Sequence, residues 1–217
     1  MEPWDGMRLP PAELFSSLRE EIGTTGSLRR GRLDAEALGG LGEVQWKREG
    51  LRTERTPTLP RYLLAVKWPA YWRYLDMLEQ TRFIVCLRHP LEVIASYRRT
   101  GARLESGYDY EVPFNRRMND YLSAATQDKS ERRVRLYEYI YSRIAPHLSR
   151  PTVYSLRYER WRSEPAEVLN ELSEFLETDV RDTPVQIRTP EPPDVSAEER
   201  ALIRAFCKSA NAIGYAV

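Results

Sequence analysis

The stretch that decides the fold is RFIVCLRHP, residues 82–90, followed directly by LEVIASYRR, residues 91–99. Its apolar, β-branched run ends abruptly at Arg88, and Pro90 stands where the first turn of a helix accepts a proline. The pattern therefore predicts a strand that delivers a cation to the carboxyl edge of a parallel sheet, where open α/β folds bind their ligands. The simpler alternative is a surface arginine between an ordinary strand and an ordinary helix.

The residues after this strand suit a phosphate group. Ser96 lies on the predicted helix and offers a hydroxyl beside the guanidinium of Arg88. A guanidinium matches phosphate oxygens with paired donors and stays protonated at any physiological pH. Ser96 also shares a helix face with Glu92, four residues before it. We therefore expect Arg88 and Ser96 to face one anion-binding cleft.

A second motif follows later in the chain, in residues 152–159, TVYSLRYE. It predicts a short strand that ends in the pair Tyr158 and Glu159. A helix should come next, with Ser163 as its N-cap and Pro165 in its first turn. The apolar positions that mark this helix lie on one face and are Val168, Leu169, Leu172, Phe175 and Leu176.

Together the two motifs resemble the sulfotransferase family. Residues 85–99 are similar to its 3'-phosphate-binding segment, in which a strand ends in an Arg-x-Pro turn and a helix carries a serine followed by aromatic and basic residues. His89 stands where that family usually has an aspartate. Residues 152–176 resemble the family's later strand, Tyr-Glu pair and helix. The resemblance covers roughly residue 59 to residue 217.

The resemblance implies that the chain transfers a sulfuryl group from 3'-phosphoadenosine-5'-phosphosulfate (PAPS), its co-substrate, without a metal. The acceptor would be a hydroxyl or amine of a small molecule or glycan. Arg88 and Ser96 would hold the 3'-phosphate, and Tyr158 would contact the adenine. Arg188, in a proline-rich loop, would cover the 3'-phosphate; its alternative is an exposed loop arginine.

Two catalytic groups are also implied by the resemblance. Lys67, at the end of a predicted strand over residues 62–67, matches the family's lysine near the transferred group. The alternative for Lys67 is a structural surface lysine. A general base must take the acceptor's proton, and relatives that use a carboxylate leave Asp34 or a glutamate of the N-terminal segment open for this role.

One family element is not recognisable in the sequence. The segment Gly23–Ser27 comes nearest to the loop that cradles the 5'-phosphosulfate, yet it follows a helical pattern ending in two acids and contains no cation. We expect a helix end there instead. The chain is thus expected to lack the first βα unit of the fold, through truncation or real loss. A chain without that loop should bind the nucleotide weakly and transfer sulfuryl slowly or not at all.

Composition favours a soluble α/β protein. With 217 residues, 41% of them hydrophobic, the chain suits a single domain, residues 1–217, with one core. We expect a three-layer, P-loop-type sulfotransferase fold that is helix-rich, with a short, mostly parallel sheet over residues 62–67, 82–87 and 152–157. The apolar spacing also predicts a helix near residues 71–80, a later helix with Tyr137 and Tyr141 on its core face, and a last helix that opens with a capping box of Ser196 and Glu199. The two cysteines, Cys86 and Cys207, fall in apolar segments, which favours packed thiols and a cytoplasmic location.

Two other functions stay open. A domain of this fold without catalysis would bind adenosine 3',5'-bisphosphate or a protein partner. An arginine-rich module would bind RNA or an acidic partner, but the net charge of +1 and the lack of a basic run argue against it. We therefore expect no nucleic-acid and no membrane partner. The sequence leaves the oligomeric state undetermined.

Overall fold

The computed structural model describes residues 71–100, 113–179 and 193–217, with short pieces at 16, 19–20, 22–24, 28–29 and 54–55. The chain divides into two compact units, Met1–Tyr74 and Leu75–Val217. The expectation of a single sulfotransferase-like domain over residues 1–217 stays a prediction.

The first unit is described only in part. Strand β1 (Leu28–Arg29) pairs with strand β2 (Glu54–Arg55) in antiparallel register. Residues 22–24 are helical, and the Thr24 hydroxyl donates to the Glu20 carbonyl at 2.8 Å, one helical turn earlier. The predicted strand at 62–67 and residues 25–27 lie outside the described residues, and the expected lack of a first βα unit stays a prediction.

The second unit is built around two parallel strands. Strand β3 (Phe83–Leu87) pairs with β4 (Val153–Arg157), and the register runs from Phe83 opposite Val153 to Leu87 opposite Arg157. A parallel pair needs a long crossover, and the described residues between the two strands include three α-helices. In chain order the helices are α1 (Pro90–Thr100), α2 (Pro113–Ala125), α3 (Lys129–Ile144), α4 (Tyr158–Ser163), α5 (Pro165–Leu176), α6 (Ala197–Phe206) and α7 (Lys208–Ala212).

Helix α3 is the centre of the helical packing. Helices α1, α2, α6 and α7 all contact α3, while α4 and α5 contact β4. The core that results is apolar and well buried, and its largest fully buried aliphatic members are Leu75, Leu87, Ile94, Met118, Leu122, Val134, Leu136, Val168 and Ile203. Burial of such side chains contributes about 1.5–3 kcal/mol each.

These elements confirm the predicted fold class. The described residues are rich in helix, and the predicted strands at 82–87 and 152–157 form a short, parallel, open sheet. Pro90 is the first residue of α1, as its position after Arg88 indicates. The predicted capping box also forms: the Ser196 hydroxyl accepts from the Glu199 N–H, and the Glu199 carboxylate accepts from the Ser196 N–H, both at 3.1 Å.

The prediction of a helix near residues 71–80 is wrong. Only Tyr71–Tyr74 form a short 3₁₀ helix, and turns follow. The Arg150 guanidinium donates to the carbonyls of Leu75 at 2.5 Å and Leu78 at 3.4 Å, and the Thr152 hydroxyl donates to the carbonyl of Glu79 at 3.0 Å. Side chains near β4 thus take carbonyls that a regular helix would pair within itself.

The expected cap at Ser163 is also wrong. Ser163 is the last residue of α4, and its hydroxyl lies 3.4 Å from the carbonyl oxygens of Glu159 and Arg160, to which it donates. Glu164 therefore precedes α5 at the N-cap position, without a side-chain cap, and Pro165 opens the helix.

Cys86 is exposed, although its position in an apolar strand predicts a packed thiol. Ile84 and Cys86 lie two residues apart on β3 and therefore share a face of the strand, and both are exposed. Leu87, on the opposite face, is buried, as is Cys207. Burial raises the pKa of the Cys207 thiol to about 12, so this thiol stays protonated at neutral pH.

Candidate functional site

The parallel register brings the two predicted motifs together. Leu87 lies opposite Arg157, so the residues that follow them, Arg88 and Tyr158, emerge side by side at the carboxyl edge of the sheet. The guanidinium carbon of Arg88 lies 4.4 Å from the centre of the Tyr158 ring. This is a cation–π contact, which orients the guanidinium without using its N–H donors.

Arg88 is held firmly but keeps donors for a ligand. Its Nε donates to Glu92 Oε2 at 2.6 Å, and its backbone carbonyl accepts from the Tyr137 hydroxyl at 3.4 Å. Among the residues that the structure describes, Nη1 and Nη2 of Arg88 donate to no protein group. The side chain is 24% exposed, so an oriented and accessible pair of N–H donors remains at the strand end.

Glu92 is a functional neighbour whose contact the sequence analysis missed. Its side chain is only 16% exposed, and its carboxylate partly neutralises the charge of Arg88. The spacing from Arg88 to Glu92 is i,i+4, and that spacing is the signal that was available in the sequence. A phosphate at this place would meet both a cation and a nearby anion.

The support under Arg88 consists of core tyrosines. Tyr137 and Tyr141 stack with their ring centres 3.9 Å apart, and both are buried, in agreement with their predicted core role. Burial raises the pKa of Tyr141 to about 12 and also raises the pKa of Tyr137. Both phenols therefore remain hydrogen-bond donors at neutral pH rather than acting as bases.

Of the other predicted site residues, the structure describes Ser96 but not Lys67 or Arg188. Ser96 is half-buried on α1, one turn beyond Glu92. Lys67 and Arg188 lie outside the described residues. The structure thus brings Arg88 and Tyr158 into contact and sets Ser96 on the same helix as Glu92. Cofactor binding by Arg88, Ser96, Tyr158 and Arg188 stays a prediction, as does the catalytic role of Lys67.

Comparison with known families decides the identity of this fold. The family model described as the sulfotransferase domain matches residues 73–189, more than half of the chain. The chain belongs to the sulfotransferase domain family. The match includes both strands of the sheet, the Arg88 turn and Tyr158. No curated protein and no solved structure matched the chain.

Two general properties of this sulfotransferase domain follow from the described residues alone. Within them, no three His, Cys, Asp or Glu side chains come together in a way that would hold a metal ion. No helix in the same residues is long and apolar enough to cross a membrane.

Proposed function

We propose that this sulfotransferase domain transfers the sulfuryl group of PAPS to a hydroxyl or amine of a small molecule or glycan. The observation that carries the proposal is the contact between Arg88 and Tyr158 at the carboxyl edge of the sheet, within a sulfotransferase domain match. An oriented guanidinium whose Nη1 and Nη2 groups donate to no protein group among the described residues suits a phosphate monoester. A cytoplasmic location belongs to the same proposal.

In this proposal, the residues of the site bind different parts of PAPS. Arg88 and Ser96 hold the 3'-phosphate, and Arg188 covers it from its loop. Tyr158 lies beside the adenine and at the same time orients the Arg88 guanidinium. The role that the family resemblance implies for Lys67 is to supply a cation that stabilises the charge developing on the departing phosphate.

The reaction is a group transfer in which one bond replaces another. The bond between the sulfur and the bridging phosphate oxygen breaks, and a bond forms between the sulfur and the acceptor oxygen or nitrogen. The acceptor gives up its proton to a base, and adenosine 3',5'-bisphosphate leaves with the electron pair of the broken bond. As in phosphoryl transfer, positioning and electrostatic stabilisation supply most of the catalysis.

The proposal is tested by transfer of labelled sulfate from PAPS to a panel of hydroxyl and amine acceptors. The assay should use this chain, with calorimetric binding of adenosine 3',5'-bisphosphate measured in parallel. We expect weak binding of the bisphosphate and slow transfer of sulfate. Binding without transfer would support the non-catalytic alternative, and absence of binding would reject the proposal.

Removal of the Glu92 charge should strengthen nucleotide binding. In Glu92→Gln, the amide oxygen still accepts from Arg88 Nε, but the anion that repels the 3'-phosphate is gone. Two like charges about 4 Å apart repel by about 1 kcal/mol even with the full screening of bulk water, so we expect at least roughly fivefold tighter binding of adenosine 3',5'-bisphosphate by calorimetry.

Glu131→Gln is the matched control for this prediction. Glu131 pairs with Arg135 Nε at 2.6 Å, also at i,i+4 spacing and half-buried, but on α3. Its substitution should leave nucleotide affinity unchanged. Weaker or equal binding in Glu92→Gln would mean that the carboxylate helps to present Arg88 rather than competing with the phosphate.

A further inference from the structure

We infer that Glu159 is a positioning residue for Arg88. Residues 213–217 help by holding Glu159 and the neighbouring His89 in place. The inference deepens the proposed function and rests on it, because it concerns the group that would bind the 3'-phosphate.

Tyr158 and Glu159, the first two residues of α4, contact Arg88 and His89 in the turn between β3 and α1. Glu159 Oε1 accepts from the backbone N–H of His89 at 2.9 Å, across 70 positions of sequence. Tyr158, just before Glu159, lies against the guanidinium of Arg88. One contact therefore orients the side chain of Arg88, and the other fixes the peptide group that follows it.

The second carboxylate oxygen of Glu159 is also used. Tyr215 donates its hydroxyl to Glu159 Oε2 at 2.7 Å, and Tyr215 is only 7% exposed. Burial, and then the hydrogen bond to Glu159, raise the pKa of Tyr215. The phenol thus stays a donor at neutral pH, and Glu159 is held at both oxygens.

His89 connects the same turn to residues 213–217. Its Nδ1 accepts from the Leu91 N–H at 3.2 Å, so Nε2 carries the ring proton and donates to the Ala216 carbonyl at 3.2 Å. The His89 ring also meets Tyr215 edge-on, with ring centres 5.5 Å apart and planes at 75°. The residue that departs from the family's usual aspartate therefore links the Arg88 turn to this segment.

Arg157 and Gly214 hold the segment in place. Arg157 Nη2 donates to the Ile213 carbonyl at 2.5 Å, and its guanidinium carbon lies 5.0 Å from the centre of the Tyr215 ring. Gly214 has φ of +83°, and a Cβ there would lie 2.6 Å from Arg157 Nη2. A side chain at residue 214 would be strained by this backbone conformation and would also displace the Arg157 guanidinium from its place.

These contacts matter for binding because a ligand-holding group must be fixed by its surroundings to be effective. Without Glu159, the His89 N–H and the Tyr215 hydroxyl both lose their acceptor, and the turn is freed to move. Arg88 would then keep its charge and its own contacts with Glu92 and Tyr158, yet lose its fixed backbone.

The test compares Glu159→Ala with the control Glu171→Ala. Glu171 also accepts a tyrosine hydroxyl at 2.7 Å, from Tyr154, but it lies on α5 and contacts Arg160. Without the carboxylate, binding itself must fix the freed turn, so we expect roughly tenfold weaker binding of adenosine 3',5'-bisphosphate in Glu159→Ala. We expect no change in Glu171→Ala, and recovery of most of the affinity in Glu159→Gln.

A second readout does not require the nucleotide. Amide hydrogen exchange at His89, followed by NMR in the unliganded protein, should be faster in Glu159→Ala and unchanged in Glu171→Ala. If Glu159→Ala does not fold, Tyr215→Phe removes a single hydroxyl and should change both readouts in the same direction to a smaller extent.

The outcomes separate this inference from the proposed function. Failure of the unaltered protein to bind the bisphosphate rejects the proposed function, and His89 exchange then still decides whether Glu159 supports the turn. Unchanged exchange in Glu159→Ala, or faster exchange with unchanged affinity, overturns the positioning role.

Discussion

Replacement of Arg88 by alanine is expected to weaken the binding of adenosine 3',5'-bisphosphate by roughly ten- to hundredfold. A hydrogen bond between a guanidinium and a phosphate contributes about 1.5–3 kcal/mol. Arg88 stands at the end of β3 and contacts Glu92 and the Tyr158 ring, and within the described part of the chain its Nη1 and Nη2 donate to no protein group. Isothermal titration calorimetry of the unaltered protein and the variant measures the change directly.

Arg135→Ala is a closely matched control. Arg135 donates through Nε to Glu131 at 2.6 Å, and its guanidinium carbon lies 4.1 Å from the centre of the Phe206 ring. Its side chain is 22% exposed, close to the 24% of Arg88. The control loses the same kinds of contact elsewhere in the fold. Equal affinities in the two variants would remove Arg88 from the list of nucleotide ligands.

Replacement of Glu199 by alanine is expected to cost about 3–5 kcal/mol of the free energy of unfolding. Glu199 is 3% exposed and accepts from Arg133 at 3.1 Å, from Arg98 at 3.5 Å and from the Ser196 N–H at 3.1 Å. Its loss would leave the buried Arg133 guanidinium without this carboxylate and would remove half of the α6 capping box. Urea unfolding followed by circular dichroism measures the loss.

The neighbouring acid provides the comparison for this variant. Glu198 also lies in the first turn of α6, but it is exposed. Its replacement by alanine removes only a favourable interaction with the helix dipole, about 0.3–1 kcal/mol. A loss in Glu199→Ala as small as the loss in Glu198→Ala would show that the buried ion pairs add little. Because the free energy of unfolding of a domain is usually about 5–15 kcal/mol, the larger loss would be a substantial part of it.

Features set by neighbours in the sequence were predictable. The strand before Arg88, the helix that Pro90 opens and the box formed by Ser196 and Glu199 each depend on residues a few positions apart. Such rules involve residues within about one helical turn, so the sequence alone can show them. The family could be recognised in the same way, because its two motifs are each local.

Predictions failed where distant groups compete with local preference. Residues 75–80 carry a helical pattern, but Arg150 and Thr152 take the carbonyls of Leu75, Leu78 and Glu79. Cys86 lies in an apolar run, yet the described residues leave its face of β3 exposed. The first outcome depends on partners far away in the sequence and the second on which elements cover β3, and periodicity reports neither.

By itself, the sequence determined the elements that carry the site: a strand ending at Arg88, a strand ending before Tyr158 and the helix that bears Ser96. The tertiary structure decided how they meet. Parallel register places Leu87 opposite Arg157, which brings Arg88 onto the Tyr158 ring and Glu159 onto the His89 N–H. Contacts of this kind join residues about 70 positions apart. They form only when burial of the shared core outweighs the entropy cost of closing the long loops between them. A local sequence pattern contains no information about either of these two free energies.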